Sequence, residues 1–220
     1  MIQMIIAGID EAGRGPVLGP LVIAVACIEK QKEEKLIELG VKDSKLLTAM
    51  QRDNFVKEIR NIASEFAFTK ISPKEIDDLR VRKSLNEIEA MRIGQLLNEL
   101  KVKPDKVYVD SPDTISVNFE KRIRNYLDFE CIIQSEHKAD LNYPIVSAAS
   151  IIAKTERDAA IFELEKIHGK LGSGYPHDPD TISFLQKYVE KHKALPDFSR
   201  KSWETSKTLI DSAFQKKLFE

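Results

Sequence analysis

Four acidic residues stand where their neighbours give them chemistry to do: Asp10 and Glu11 after the apolar run IIAGI, Asp110 in YVDSP, and Asp140 in EHKAD. Read against the hydrophobic pattern, Asp10 and Asp110 fall at the carboxyl ends of strands, where ligands of α/β sheets collect. Asp140 immediately precedes a helix opened by small residues. Any one of these acids has an ordinary explanation as a turn residue or a helix cap. Brought together they would repel, and would rather hold protons than all ionise. A hard divalent cation, Mg²⁺ or Mn²⁺, removes that difficulty, because it takes carboxylate oxygens and keeps room for water and phosphate oxygens. Two such ions about 4 Å apart can activate a water and stabilise the leaving oxygen of a phosphodiester. Zinc has no comparable set, since His137, His168, His177 and His192 are scattered and the chain holds two cysteines.

The acidic pair runs directly into a stretch rich in glycine and proline, AGIDEAGRGPVLGP over residues 7–20. Glycine frees the backbone to turn sharply or to be approached closely. A dinucleotide fingerprint fails because position 18 is Leu, and neither a phosphate loop ending in Gly-Lys-Ser/Thr nor a G-x-S-x-G elbow occurs.

The elements that must position these residues follow from periodicity. Apolar, β-branched runs predict strands at residues 5–9, 21–28, 65–71, 106–110 and 129–134. Capping signals at Thr48, Ser72 and Ser84 predict helices after each, and a long helix should cover residues 145–167. Two strands joined by the glycine stretch, followed by strand–helix alternation, read as an α/β fold: a five-stranded mixed sheet flanked by helices. From residue 169 a Gly/Pro-rich loop leads to helical patterns near 181–192 and 203–216, so the expected division is a catalytic domain over 1–178 and a helical extension over 179–220. With 220 residues, 42% hydrophobic and 31% charged, the chain is globular in composition. A net charge of −1 excludes no partner, because nucleic-acid binding needs a basic face rather than a basic total. Cys27 and Cys131 read as buried thiols of a reducing compartment. The N-terminus lacks the basic stretch of a secretory signal, and the longest apolar run, 12 residues, is too short to span a bilayer, so the expected location is the cytoplasm.

Taken as blocks in order, GIDEAGRGPVLGP, KDSK, YVDSP, EHKAD, YPIVSAASIIAK and GSGYPHDP resemble type 2 ribonuclease H, most closely its archaeal form. With SWET beyond them, the blocks cover most of the chain. The resemblance implies a ribonuclease H-like fold and Mg²⁺- or Mn²⁺-dependent hydrolysis, with two ions. The substrates it implies are the RNA strand of RNA–DNA hybrids and single ribonucleotides embedded in duplex DNA, cut on the 5′ side. Carried over by position, Asp10, Glu11, Asp110 and Asp140 would be the catalytic and metal-holding acids. Gly13, Arg14 and Gly15 match a junction-reading motif whose backbone contacts the ribose 2′-hydroxyl, the group that separates RNA from DNA locally. Tyr175 matches a tyrosine that stacks on the next deoxyribose. The chain departs from the family pattern at His177 and at Leu141-Asn142.

Lesser candidates surround these. Lys45 and Lys154 lie in matched blocks and read as phosphate contacts. His137 reads equally as an aid to proton transfer and as a polar loop residue. Arg200, Lys201 and Trp203 could build a duplex-binding face, extended by Lys191, Lys193, Lys216 and Lys217, or the Trp could simply cover the core. The last residues, FQKKLFE, resemble a shortened sliding-clamp-binding tail with Gln215, Leu218 and Phe219 as anchors, but lack further aromatic residues of the full motif, and a frayed amphipathic end explains them more cheaply. The expected state is a monomer.

Overall fold

The computed structural model describes residues 4–41 and 47–215. Its centre is a five-stranded sheet of order β3-β2-β1-β4-β5, built from β1 (Ile5–Ala12), β2 (Leu21–Glu29), β3 (Glu65–Ile71), β4 (Lys106–Asp110) and β5 (Ile132–Glu136). β1 pairs antiparallel with β2 and parallel with β4, and β4 pairs parallel with β5, so the sheet is mixed as expected. Strands β1 and β5 depart most from the sequence reading, β5 covering residues 132–136 rather than 129–134. β1 runs on through Asp10 to Ala12, because pairing with β2 continues through Glu11↔Ile23 and Ala12↔Val22. β5 begins at Ile132 rather than 129, leaving Cys131 outside the strand and only half-buried, whereas Cys27 in β2 is fully buried. Burial pushes the Cys27 thiol up to about 12.

The helices are α1 (Glu33–Leu39), α2 (Ala49–Ile62), α3 (Pro73–Arg80), α4 (Leu85–Glu99), α5 (Ser116–Arg124), α6 (Ala139–Asn142), α7 (Pro144–His168), α8 (Pro179–His192) and α9 (Glu204–Gln215). The predicted caps are present: Thr48, Ser72 and Ser84 each accept from the main-chain N–H three residues on. Asp178 caps α8 by accepting from the main-chain N–H of Asp180, two residues on. Among the described residues no helix is long and apolar enough to cross a membrane.

Two compact units divide the chain. The first comprises residues 1–12, 22–69 and 84–156, the second residues 13–21, 70–83 and 157–220. In the first, even-numbered residues of β1 and β2 face one side of the sheet, and Ile6, Ala24, Ala26 and Ile28 pack there with Ile145, Ala148, Ile151 and Ile152 of α7. In the second, Val17 and Leu18 are covered by Leu171, Leu185, Val189 and Leu195, with Phe184, Phe198 and Trp203 against them.

One glycine sets how closely α7 lies on β1. A Cβ built on Gly8 would come within 2.3 Å of the carbonyl carbon and oxygen of Ile145 and 2.5 Å of the amide nitrogen of Val146, all main-chain atoms at the start of the helix. No side chain can occupy that space, so Gly8→Ala must push the helix off the strand. Chemical denaturation should show a loss of at least ~2 kcal/mol, the upper range for overpacking a well-filled core; a variant as stable as the parent would refute the close contact.

Candidate active site

Parallel pairing brings the first two acids together. β1 and β4 run in register from Ile6↔Lys106 to Ile9↔Val109, so Asp10 and Asp110 occupy the next position on each strand and point to the same face. That face is the one Gly8 leaves to α7. From Gly8 to Asp10 a strand advances about 6.6 Å, and from Ile145 to Ser150 a helix advances about 7.5 Å, so the serine arrives beside the carboxylate. One turn later comes Lys154. Asp10 is 7% exposed. Burial raises its pKa from the ordinary carboxylate range to about 6, and the neighbouring Asp110 charge adds to the rise. The Ser150 hydroxyl, the Glu11 N–H and the Lys154 ammonium oppose it only in part. The Glu11 N–H donates to Asp10 Oδ1 at 2.8 Å. Ser150 lies against the carboxylate without meeting the geometry of a full hydrogen bond.

Asp140 reaches this end of the sheet through Asp110, whose Oδ1 accepts the Ala139 N–H at 2.8 Å and so fixes the start of α6 one residue before Asp140. Asp140 is buried, and the Ser147 hydroxyl of α7 donates to its main-chain carbonyl. Glu11, next in the strand after Asp10, is half-buried. His137 is exposed, with its ring nitrogens 3.3 Å from the carbonyl oxygens of Ser111 and Thr114, which tethers it to the loop after β4. That loop is braced from below by Asp113, which receives Arg122 Nε at 3.0 Å and the Asn86 amide.

Among the described residues no three carboxylate, imidazole or thiol groups close on one point, although Asp10 feels the charge of Asp110. The donor set nevertheless fits a hard divalent cation. It offers carboxylate oxygen alone, and it holds a buried charge that its own neighbours leave only partly compensated. A fifth acid absent from the sequence reading, Glu136, pairs with Asp110 in register. It is already engaged: Tyr143 Oη donates to it at 2.5 Å and Gln134 Nε2 at 2.6 Å, which lowers its pKa.

The remaining candidates belong to the second unit. Gly13 is buried with φ of +85°, and a Cβ there would meet the Pro20 carbonyl at 2.7 Å. Gly15 is exposed and has no such strain; its nearest neighbour would be the Tyr175 ring at 3.4 Å. Arg14, between them, is half-buried. Arg157 was missed by sequence reasoning. It is buried, its Cδ and Nε lie against Gly13, its Nη2 donates to the Ser173 carbonyl at 2.6 Å, and its guanidinium carbon sits 5.4 Å from the centre of the Tyr175 ring. Burial lowers its pKa. His177 is exposed, 5.4 Å from Tyr175 ring to ring. Arg200 and Trp203 do not form an exposed duplex-binding face: Arg200 is fully buried beneath residues 13–19, and Trp203 is half-buried against the core of this unit. Lys45, Leu218, Phe219 and the Gln215 side chain lie outside the described residues.

Solved structures place this architecture. The crystal structure of ribonuclease H2 from Pyrococcus horikoshii OT3 superposes with a TM-score of 0.92 at 44% identity, covering 96% of this chain and all of that one. The ribonuclease HII of Archaeoglobus fulgidus, solved in a complex with PCNA, gives 0.84 at 39% identity, with coverage of 91% and 96%. These likenesses define the class, a hydrolase with a ribonuclease H-like fold. A Ribonuclease HII family model matches residues 7–206, and the ribonuclease HII of Pyrococcus horikoshii is 45% identical over 213 residues, 97% of this chain and 96% of that protein. The chain belongs to the ribonuclease HII family and is a metal-dependent endoribonuclease.

The raised pKa of Asp10 carries a stability consequence for the metal-free protein. The folded carboxyl holds its proton up to about pH 6, whereas the unfolded one loses it near pH 3.9. The fold therefore loses stability as pH rises through that window. Asn carries no charge to bury, so Asp10→Asn should stabilise the metal-free protein at pH 7 by up to about 3 kcal/mol, with the gain vanishing near pH 4. Urea unfolding at both pH values in the presence of a chelator measures this; a variant less stable than the parent at pH 7 would contradict the buried charge.

Proposed function

We propose that this endoribonuclease hydrolyses the RNA strand of RNA–DNA hybrids and incises 5′ of single ribonucleotides in duplex DNA, with water as nucleophile. The products carry 5′-phosphate and 3′-hydroxyl ends. The observation that carries the reading is the Asp10–Asp110 pair at matched positions of parallel strands, with Asp10 buried and its carboxyl raised to about 6 by that burial and by the Asp110 charge.

In this proposal Asp10 and Asp110 hold the cations most directly, and Glu11 and Asp140 complete the set. A pair of Mg²⁺ or Mn²⁺ ions supplies Lewis acidity, activating the attacking water and offsetting charge on the leaving oxygen. The Lys154 ammonium, which already acts on Asp10, is suited to a neighbouring phosphate. The main chain of Gly13, Arg14 and Gly15 reads the ribose 2′-hydroxyl, and the Tyr175 ring covers the following deoxyribose and rejects a second ribose by shape. An exposed glycine at 15 supports this, since a nucleotide can approach a backbone without a side chain. Residues 1–178 are proposed to carry the chemistry and 179–220 to form an accessory extension. The Archaeoglobus fulgidus relative was solved with PCNA, which supports a sliding clamp as partner for the tail residues Gln215, Leu218 and Phe219. A cytoplasmic monomer is the proposed setting.

The direct test is cleavage of a duplex bearing one ribonucleotide, beside all-DNA and all-RNA duplexes, with Mg²⁺ and with chelator. Cutting is expected on the 5′ side of the ribonucleotide and only with the metal, and indifference to the sugar would end the proposal. Asp10→Asn should lower kcat by more than about 10³-fold, the scale expected when a group stabilising transition-state charge is removed. Gly15→Ala should fold with unchanged Tm, because its Cβ makes only an ordinary contact with Tyr175. It should nevertheless lose at least about tenfold in kcat/KM at a single ribonucleotide, as expected from the loss of one well-aligned hydrogen bond. Unimpaired cleavage by Gly15→Ala would separate residues 13–15 from the reading of the sugar.

A further inference from the structure

Arg200 is a long charged side chain with no exposure at all, and the hydrogen bonds it makes in this unit converge on one loop. Its Nη1 donates to the Arg14 carbonyl at 2.8 Å, its Nη2 to the carbonyls of Gly13 and Gly19, and its Nε again to Gly19 at 3.3 Å. Its own main-chain N–H donates to the Val17 carbonyl at 2.9 Å. Three residues on, Trp203 Nε1 donates to the Gly15 carbonyl at 3.2 Å. The carbonyls of residues 13, 14, 15, 17 and 19 are thus all taken by residues 200 and 203.

We infer that Arg200, with Trp203, is the positioning device that aims the amides of residues 14 and 15 at the ribose. A trans peptide is planar, with its C=O and N–H on opposite edges. Fixing the Gly13 carbonyl therefore fixes the direction of the Arg14 N–H, and fixing the Arg14 carbonyl fixes that of Gly15. The next peptide, Gly15–Pro16, has no N–H to aim, and it is the one Trp203 holds instead. A rigid fork of five donors suits this work, since one guanidinium spans three carbonyls where an ammonium is a single point. The device is itself anchored. The N–H groups of Lys201 and Ser202 donate to the Asp77 carboxylate at 2.7 and 3.0 Å. The guanidinium carbons of Arg80 and Arg200 lie 4.9 and 4.8 Å from the centre of the Trp203 ring.

The inference rests on the reading of residues 13–15 as the ribose contact, and its test keeps the two apart. In the Asp10→Asn background, with Mg²⁺ present, affinity is measured by fluorescence anisotropy for a duplex bearing one ribonucleotide and for the all-DNA duplex of the same sequence. The parent is expected to prefer the ribonucleotide by about tenfold, the scale of one net hydrogen bond. Arg200→Lys, folded by circular dichroism, should abolish that preference while holding all-DNA affinity within about twofold. Trp203→Phe keeps an aromatic ring and loses only the bond to Gly15, so it should lose part of the preference. With Asp10 restored, both variants should lose kcat/KM at a single ribonucleotide and keep the parent's Mn²⁺ affinity. A folded Arg200→Lys protein with full preference, or one weakened equally toward both duplexes, overturns the inference. If Arg200→Lys does not fold, an undiminished preference in Trp203→Phe overturns it. A parent with no preference overturns the reading beneath it, and the inference falls with that reading.

Discussion

Helix α7 can lie where it does only because β1 presents main chain and nothing else at Gly8. Everything at the carboxyl end of β1 inherits that closeness. Two residues along the strand, the same face carries Asp10, and the helix that came in over the glycine now stands over the acid with Ser150 and Lys154. A side chain at position 8 would hold helix and strand apart and let water reach the carboxylate. The cost of enclosing the charge, expressed as a pKa of about 6, is therefore a packing effect before it is an electrostatic one. Burial makes the carboxylate a poor resident alone and a good ligand for a cation, which is the condition a hydrolytic metal site needs.

The two units satisfy different needs by different means. In the first, the acids sit on strands and at the start of a short helix, so their positions follow from the ladder of the sheet and are hard to displace. In the second, the segment from Gly13 to Gly19 belongs to no strand or helix, and its carbonyls would stand unpaired if nothing reached them. Side chains far along the chain reach them instead: Arg200 and Trp203 stand in for a neighbouring strand. Arg157 fills the remaining side, against Gly13 and close to Tyr175. A loop held this way keeps the conformational freedom that glycine provides without wandering through it.

Much of the first unit was legible in the chain because its signals are local. Apolar runs end at Asp10 and Asp110, the small-residue string over residues 143–154 promises a helix that packs closely, and Thr48 and Ser84 cap the helices that follow them. The boundaries of β1 and β5 were less legible, since each is set by its neighbour's register rather than by its own residues. Glu136 escaped notice because its engagement depends on Tyr143, brought beside it only by folding. The carbonyl-holding role of Arg200 could not be read at all. It joins residues 186 and 187 positions apart, and the sequence offers only a basic residue near a tryptophan, a pattern that serves a binding face just as well. Arg157 left still less trace, being one charge among many on a long helix.

The unequal burial of the two thiols leaves the molecule with a practical asymmetry. Cys27, enclosed in β2 with its proton held to about 12, is shut away from electrophiles at neutral pH. Cys131 stands half-open beside an edge strand. An alkylating dye offered to the native protein thus has one accessible sulfur to find, remote in sequence from Asp10 and from the glycine loop, and a spectroscopic reporter can be attached there with the second cysteine left in place.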